Sequence, residues 1–140
     1  MMQLLCIVGL PGSGKTYYAN NMFGYESFVL EKWVEIVDDI KSLDDLPTPG
    51  TCDILVITDP NFCRTEVRES ATMFLTLRYG INPLWRFFEN DPVKCRRNVR
   101  YRDDGRKVDS AINRLSKEYD IPKGAVVFDI WQPNSENLDD

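Results

Sequence analysis

The chain has 140 residues, the usual size of one domain and too short for two. Its 43% hydrophobic and 28% charged residues are ordinary for a globular protein, and no apolar run approaches the roughly 20 residues that crossing a bilayer requires. The net charge is −5 and histidine is absent, which excludes His-based catalysis; Cys6, Cys52, Cys63 and Cys95 have no CxxC spacing, which argues against a zinc centre and for free, buried thiols.

In chain order, Met1 to Val8 is apolar without a basic leader and runs into a glycine loop, so Leu4 to Val8 is expected to be a strand buried on both faces and the protein cytoplasmic. Lys15 to Phe23 starts a helix that should stop near Gly24. Tyr25 to Leu46 is ambiguous: Trp33, Ile36, Val37 and Ile40 fit a helix, whereas Phe28 to Leu30 and Val34 to Val37 each fit a strand. A strand ending at Asp38-Asp39 is preferred, because α/β alternation requires one there. Asp53 to Asp59 is a second buried strand between Pro47-Thr48-Pro49-Gly50 and Pro60, and it ends on a carboxylate.

Val67, Ala71, Phe74 and Arg78 recur at helical spacing between Thr65 and Tyr79, with Gly80 as the stop, and Leu84 to Phe88 is the next strand. Asp91-Pro92 is an N-cap and N1 pair for an Arg-rich helix. Val108, Ala111, Ile112, Leu115 and Tyr119 form one face of a further helix, and Ala125 to Ile130 is the last strand. Residues 1–131 are therefore read as one domain and 132–140 as a polar tail.

Gly9, Gly14, Lys15 and Thr16 match GxxxxGK[ST], with Gly12 and Ser13 inside the loop, between a strand and a helix. In such a loop backbone amides converge on phosphate oxygens, the lysine neutralises β/γ charge and the hydroxyl binds Mg²⁺. ATP or another nucleoside triphosphate with Mg²⁺ is thus expected on Gly9, Gly12, Ser13, Gly14, Lys15 and Thr16. Asp59, at the end of its apolar strand, is the expected second metal residue beside Thr16. No acid follows it at position 60, which makes hydrolysis as the main task less favoured.

Between Arg86 and Lys107 eight basic residues face four acidic ones, a cationic island in an acidic chain that suggests a local anion site. Arg96, Arg97 and Arg100 fall within one helical turn there, where fixed cations can converge on a transferring phosphate.

With Gly9 to Thr16, Ile57-Thr58-Asp59-Pro60-Asn61 and Cys95-Arg96-Arg97-Asn98-Val99-Arg100, the chain resembles the polynucleotide-kinase-like branch of small P-loop kinases over roughly residues 3 to 130. The resemblance implies a single-domain α/β P-loop NTPase fold, a mainly parallel sheet flanked by helices and a short Arg-rich lid. It also implies transfer of an ATP γ-phosphate to an acceptor hydroxyl, with a nucleotide or polynucleotide 5′ end among the candidates. By position Asp38 is the general base, with Asp39 its nearest substitute. Asn61 and Arg64 fall near the acceptor, and Arg97 and Arg100 in the lid. Ile36-Val37 precede Asp38 and only residues 40–52 separate it from the next strand, so acceptor identity stays open. The acidic residues Glu31, Glu35, Asp38, Asp39, Asp44 and Asp45 would repel a long polyanion. The rival reading is a nucleotide switch or slow NTPase that acts on a protein partner.

Overall fold

The structure, a computed structural model, describes residues 2–40, 42–102 and 107–132, with the side chains of 24–30 and of residue 43 outside that description. Five parallel strands form the sheet: β1 (Gln3–Val8), β2 (Val34–Asp38), β3 (Ile54–Thr58), β4 (Leu84–Phe88) and β5 (Val127–Phe128), in spatial order β2-β3-β1-β4-β5. Four helices connect them: α1 (Lys15–Leu30), α2 (Thr65–Tyr79), α3 (Pro92–Arg102) and α4 (Asp109–Glu118). It is a single α/β domain with a parallel sheet flanked by helices.

The apolar runs explain the sheet's centre. Leu4 to Val8 and all of β3 are buried, as strands covered on both faces must be. On the helical layer Ala71 and Leu75 of α2, and Ile112 and Leu115 of α4, repeat at three and four residues and close over the core. Gly80 ends α2 in the left-handed region with its amide on Thr76 O, as the sequence anticipates. Asp91 Oδ1 accepts from Lys94 N, the N-cap bond expected of Asp91-Pro92. All four cysteines are free and buried.

Three expectations change. The first helix does not stop at Gly24 but runs to Leu30, because an interior glycine costs only about 1 kcal/mol and no capping motif follows it. The helical alternative for residues 33–40 and the strand alternative for Phe28 to Leu30 both give way, to β2 and α1 respectively. The last strand shortens from 125–130 to Val127–Phe128, because it is an edge strand and the chain beyond it turns back toward the glycine loop, where Trp131 N donates to Ser13 O at 3.1 Å. Of the expected tail, 133–140 lies outside the described residues.

Register brings the chemistry to one edge. Asp38 stands opposite Thr58 and Thr58 opposite Ile7, so the carboxyl ends of β1, β2 and β3 reach the same level. Ligands of open parallel sheets bind at that edge.

Candidate phosphate-binding cleft

The loop from Gly9 to Thr16 leaves β1 and enters α1. Gly12 has φ +86° and a Cβ there would meet Cys95 O at 2.4 Å; Gly14 has φ +103° and a Cβ would meet Trp131 Cβ at 2.6 Å. Only glycine accepts both the left-handed backbone and the close approach of α3 and the C-terminal segment. Asn98 of α3, buried, donates from Nδ2 to Gly12 O at 2.9 Å and to Trp131 O at 2.6 Å. Helix α3 is thereby tied to the loop.

Lys15 is 8% exposed and its Nζ donates to Leu10 O at 3.1 Å. Burial holds its ammonium below the usual lysine range, opposed in part by the Asp39 and Asp59 carboxylates. Ser13 is fully buried, with no hydrogen-bond partner for its hydroxyl among the described residues.

A cleft of about 350 Å³ opens over this loop, lined by Gly12, Gly14, Lys15 and Thr16 on the loop, by Asp39 and Pro60 beyond β2 and β3, and by Asn98, Arg102 and Trp131 on the far side. Tyr17 and Tyr101 flank Trp131, with ring centroids 5.5 Å and 6.2 Å from its own. Buried amides, a helix N-terminus and a lysine in one cleft form an arrangement that can hold phosphate oxygens.

The two aspartates after β2 diverge. Asp38 Oδ1 accepts from Thr16 Oγ1 at 3.3 Å and also, closely, from Thr58 Oγ1. Asp39, at φ 50°, turns into the cleft. Asp59 is 5% exposed and its Oδ1 accepts from Asn61 N at 2.8 Å; burial raises its carboxyl above the usual range against that hydrogen bond. Thr16, Asp38 and Asp59 are hard oxygen donors of the kind that suits Mg²⁺.

Thus Gly12, Gly14, Lys15 and Thr16 converge on the cleft, with Asp38 beside Thr16. Gly9 and the buried Ser13 complete the loop beneath. Arg97 and Arg100 are exposed on α3 and do not line the cleft; Arg96 donates to Asn113. Arg102 does line it, a residue the sequence reading passes over. Its signal was available: Arg102 lies four residues beyond Asn98, hence on the same helix face.

The fold defines the class. The chain is similar to a gluconokinase from Sinorhizobium meliloti 1021, with a TM-score of 0.63 at 12% identity over 96% of this chain and 86% of that one. It is similar also to the structure titled APE1195, with a TM-score of 0.65 at 14% identity over 99% and 91% of the two chains. That class is a single α/β domain with a parallel sheet flanked by helices, the fold the chain shares with both. No protein-family model matches the chain. The chain belongs to the family of "Uncharacterized protein R277" of Acanthamoeba polyphaga mimivirus, to which it is 32% identical over 127 residues, 85% of this chain and 87% of that protein.

Proposed function

We propose that the protein is an ATP-dependent phosphotransferase with the motif order of the polynucleotide-kinase-like branch, moving a γ-phosphate to an acceptor hydroxyl. The observation that supports this most is the cleft in which the buried Lys15 and the loop share one space with Asp39. The gluconokinase likeness agrees with a kinase-type reaction. The unit is residues 1–131 with 132–140 as a tail, and free thiols suit a cytoplasmic location.

In this reading the amides of Gly9 to Thr16 and Lys15 bind the phosphates, and Trp131, between two tyrosines, offers a face to the base. Thr16, Asp38 and Asp59 would hold Mg²⁺, which neutralises phosphate charge when bound. The resemblance gives Asp38 the base role. Its oxygen is already engaged by Thr16 and Thr58, so we assign that role to Asp39, which enters the cleft. Asp39 takes the acceptor's proton as its oxygen bonds to the γ-phosphorus and the bond to the β-phosphate oxygen breaks, the electron pair leaving with ADP. Arg102, with Arg97 and Arg100 on lid closure, stabilises the equatorial oxygens.

The paired variants Asp39→Asn and Asp38→Asn test the division. In a γ-labelled ATP transfer assay Asp39→Asn should lower transfer about 10²–10⁴-fold with nucleotide affinity retained. Asp38→Asn should raise the Mg²⁺ concentration needed for half-maximal rate. Loss in Asp38→Asn alone, at saturating Mg²⁺, would return the base role to Asp38. Label released only as free phosphate, whichever variant is used, would favour a nucleotide switch.

A further inference from the structure

Helix α3 meets the glycine loop and the C-terminal segment at one side chain. Asn98 is 1% exposed, and its Nδ2 donates both to Gly12 O at 2.9 Å and to Trp131 O at 2.6 Å. Trp131 N in turn donates to Ser13 O at 3.1 Å. Loop, segment and helix are thus joined in a closed ring of hydrogen bonds, and Gly12, Gly14, Asn98 and Trp131 all line the cleft.

The ring acts where the loop has most conformational freedom. Gly12 and Gly14 sit at φ +86° and +103°, a region that glycine enters and leaves readily. A planar peptide turns as a whole, so holding its carbonyl fixes its N–H as well. The bonds to Gly12 O and Ser13 O therefore fix two successive peptide planes, and with the second the direction of the Gly14 N–H. The same bonds set Trp131, which forms the wall of the cleft beside Gly14.

The orientation of the Asn98 amide follows from its partners: both are carbonyls, so the nitrogen faces them and Oδ1 faces away. That oxygen is buried with no hydrogen-bond partner among the described residues, which weakens the fold. The side chain contributes through what its nitrogen donates. With Nδ2 engaged twice and Oδ1 buried, it offers no polar atom to a ligand. The segment has a second anchor, because Ile130 N donates to Glu89 Oε1 at 3.2 Å and Lys94 Nζ to the same oxygen at 3.1 Å. Loss of the Asn98 bonds thus loosens Trp131 without freeing the chain before it.

On the reading that the cleft takes ATP, we infer that Asn98 is a positioning residue for nucleotide binding: it holds the glycine loop and the Trp131 wall in the arrangement that fits the nucleotide, and acts through Trp131 without touching the ligand.

The test is a double-mutant cycle on the affinity of the full chain for β,γ-imido-ATP with Mg²⁺, measured by calorimetry. Asn98→Leu should weaken binding about tenfold, the scale of the lost hydrogen bonds. In a Trp131→Ala background, where the wall is already gone, the same change should cost about threefold or less. Trp131 also reports directly once Trp33→Phe and Trp85→Phe leave it as the remaining tryptophan: Asn98→Leu should shift its emission to the red and increase its quenching by acrylamide. If Asn98→Leu does not fold, Asn98→Ser, too short to span both carbonyls, serves in its place. An equal loss in both backgrounds, or a folded variant with altered Tm but unchanged affinity and Trp131 emission, overturns the inference and leaves the kinase reading intact. A wild type that binds no nucleotide overturns both.

Discussion

Asp59 shows at the residue scale how a site and the stability of its fold pull in opposite directions. Its carboxyl is buried between the loop and the turn that follows β3, and burial raises its pKa despite the amide of Asn61. A carboxyl raised on folding binds more protons in the native state than in the unfolded one, so stability falls as pH rises from the unfolded value through the native one. Asp59→Asn keeps an oxygen for Asn61 N and removes the charge. Thermal melts of the free protein should therefore show Asp59→Asn with the higher Tm at neutral pH, and the gain should fade toward about pH 4, where the wild-type carboxyl is protonated. A gain that grows on acidification would contradict this account. Lys15 and Thr16, fixed by a motif spacing, do line the cleft, whereas Asp59, expected from the end of an apolar run, does not. Asn98 and Arg102 were less legible. Their importance depends on which face of α3 meets the glycine loop, and that is decided by packing at Gly12, not by local pattern.

At the scale of elements, Arg68 fastens the segment that carries Asp59 and Asn61. Arg68 is 7% exposed and donates to Phe62 O, Cys63 O and Asp120 O, at 2.7, 3.1 and 2.7 Å, while its guanidinium lies 5.3 Å from the Phe87 ring centroid. It ties the turn at Pro60–Cys63 to α2 and to the chain after α4. Replacing it by Leu leaves buried carbonyls without a donor and should cost about 2–4 kcal/mol. Urea unfolding measures that cost; a change below about 0.5 kcal/mol, the level of an ordinary surface substitution, would deny Arg68 its anchoring role. A sequence reader sees only one more arginine on an amphipathic helix. Strand β4 and helix α2 were readable to the residue, because Gly80 and Pro83 punctuate their ends. The end of α1 was not, since glycine is too weak a stop on its own, and the length of β5 depends on where Trp131 docks.

For the whole molecule, the order β2-β3-β1-β4-β5 places the glycine loop at the end of the central strand, with Asp38-Asp39 and Asp59 on one side and α3 on the other. The parallel α/β class followed from alternating apolar runs and helical faces; that the segments after two strands and one face of α3 would line one cleft followed only from topology and register. The central claim is that this cleft transfers phosphate and that Lys15 is needed for it. The most direct test follows the fate of γ-labelled ATP with the wild type and with Lys15→Ala, folded to the same extent by circular dichroism. The account predicts label on an acceptor hydroxyl in the wild type and a loss of at least about 100-fold in Lys15→Ala, the scale of removing one fixed charge from a phosphoryl-transfer site. Label that never leaves ATP, or turnover that survives in Lys15→Ala, would contradict it.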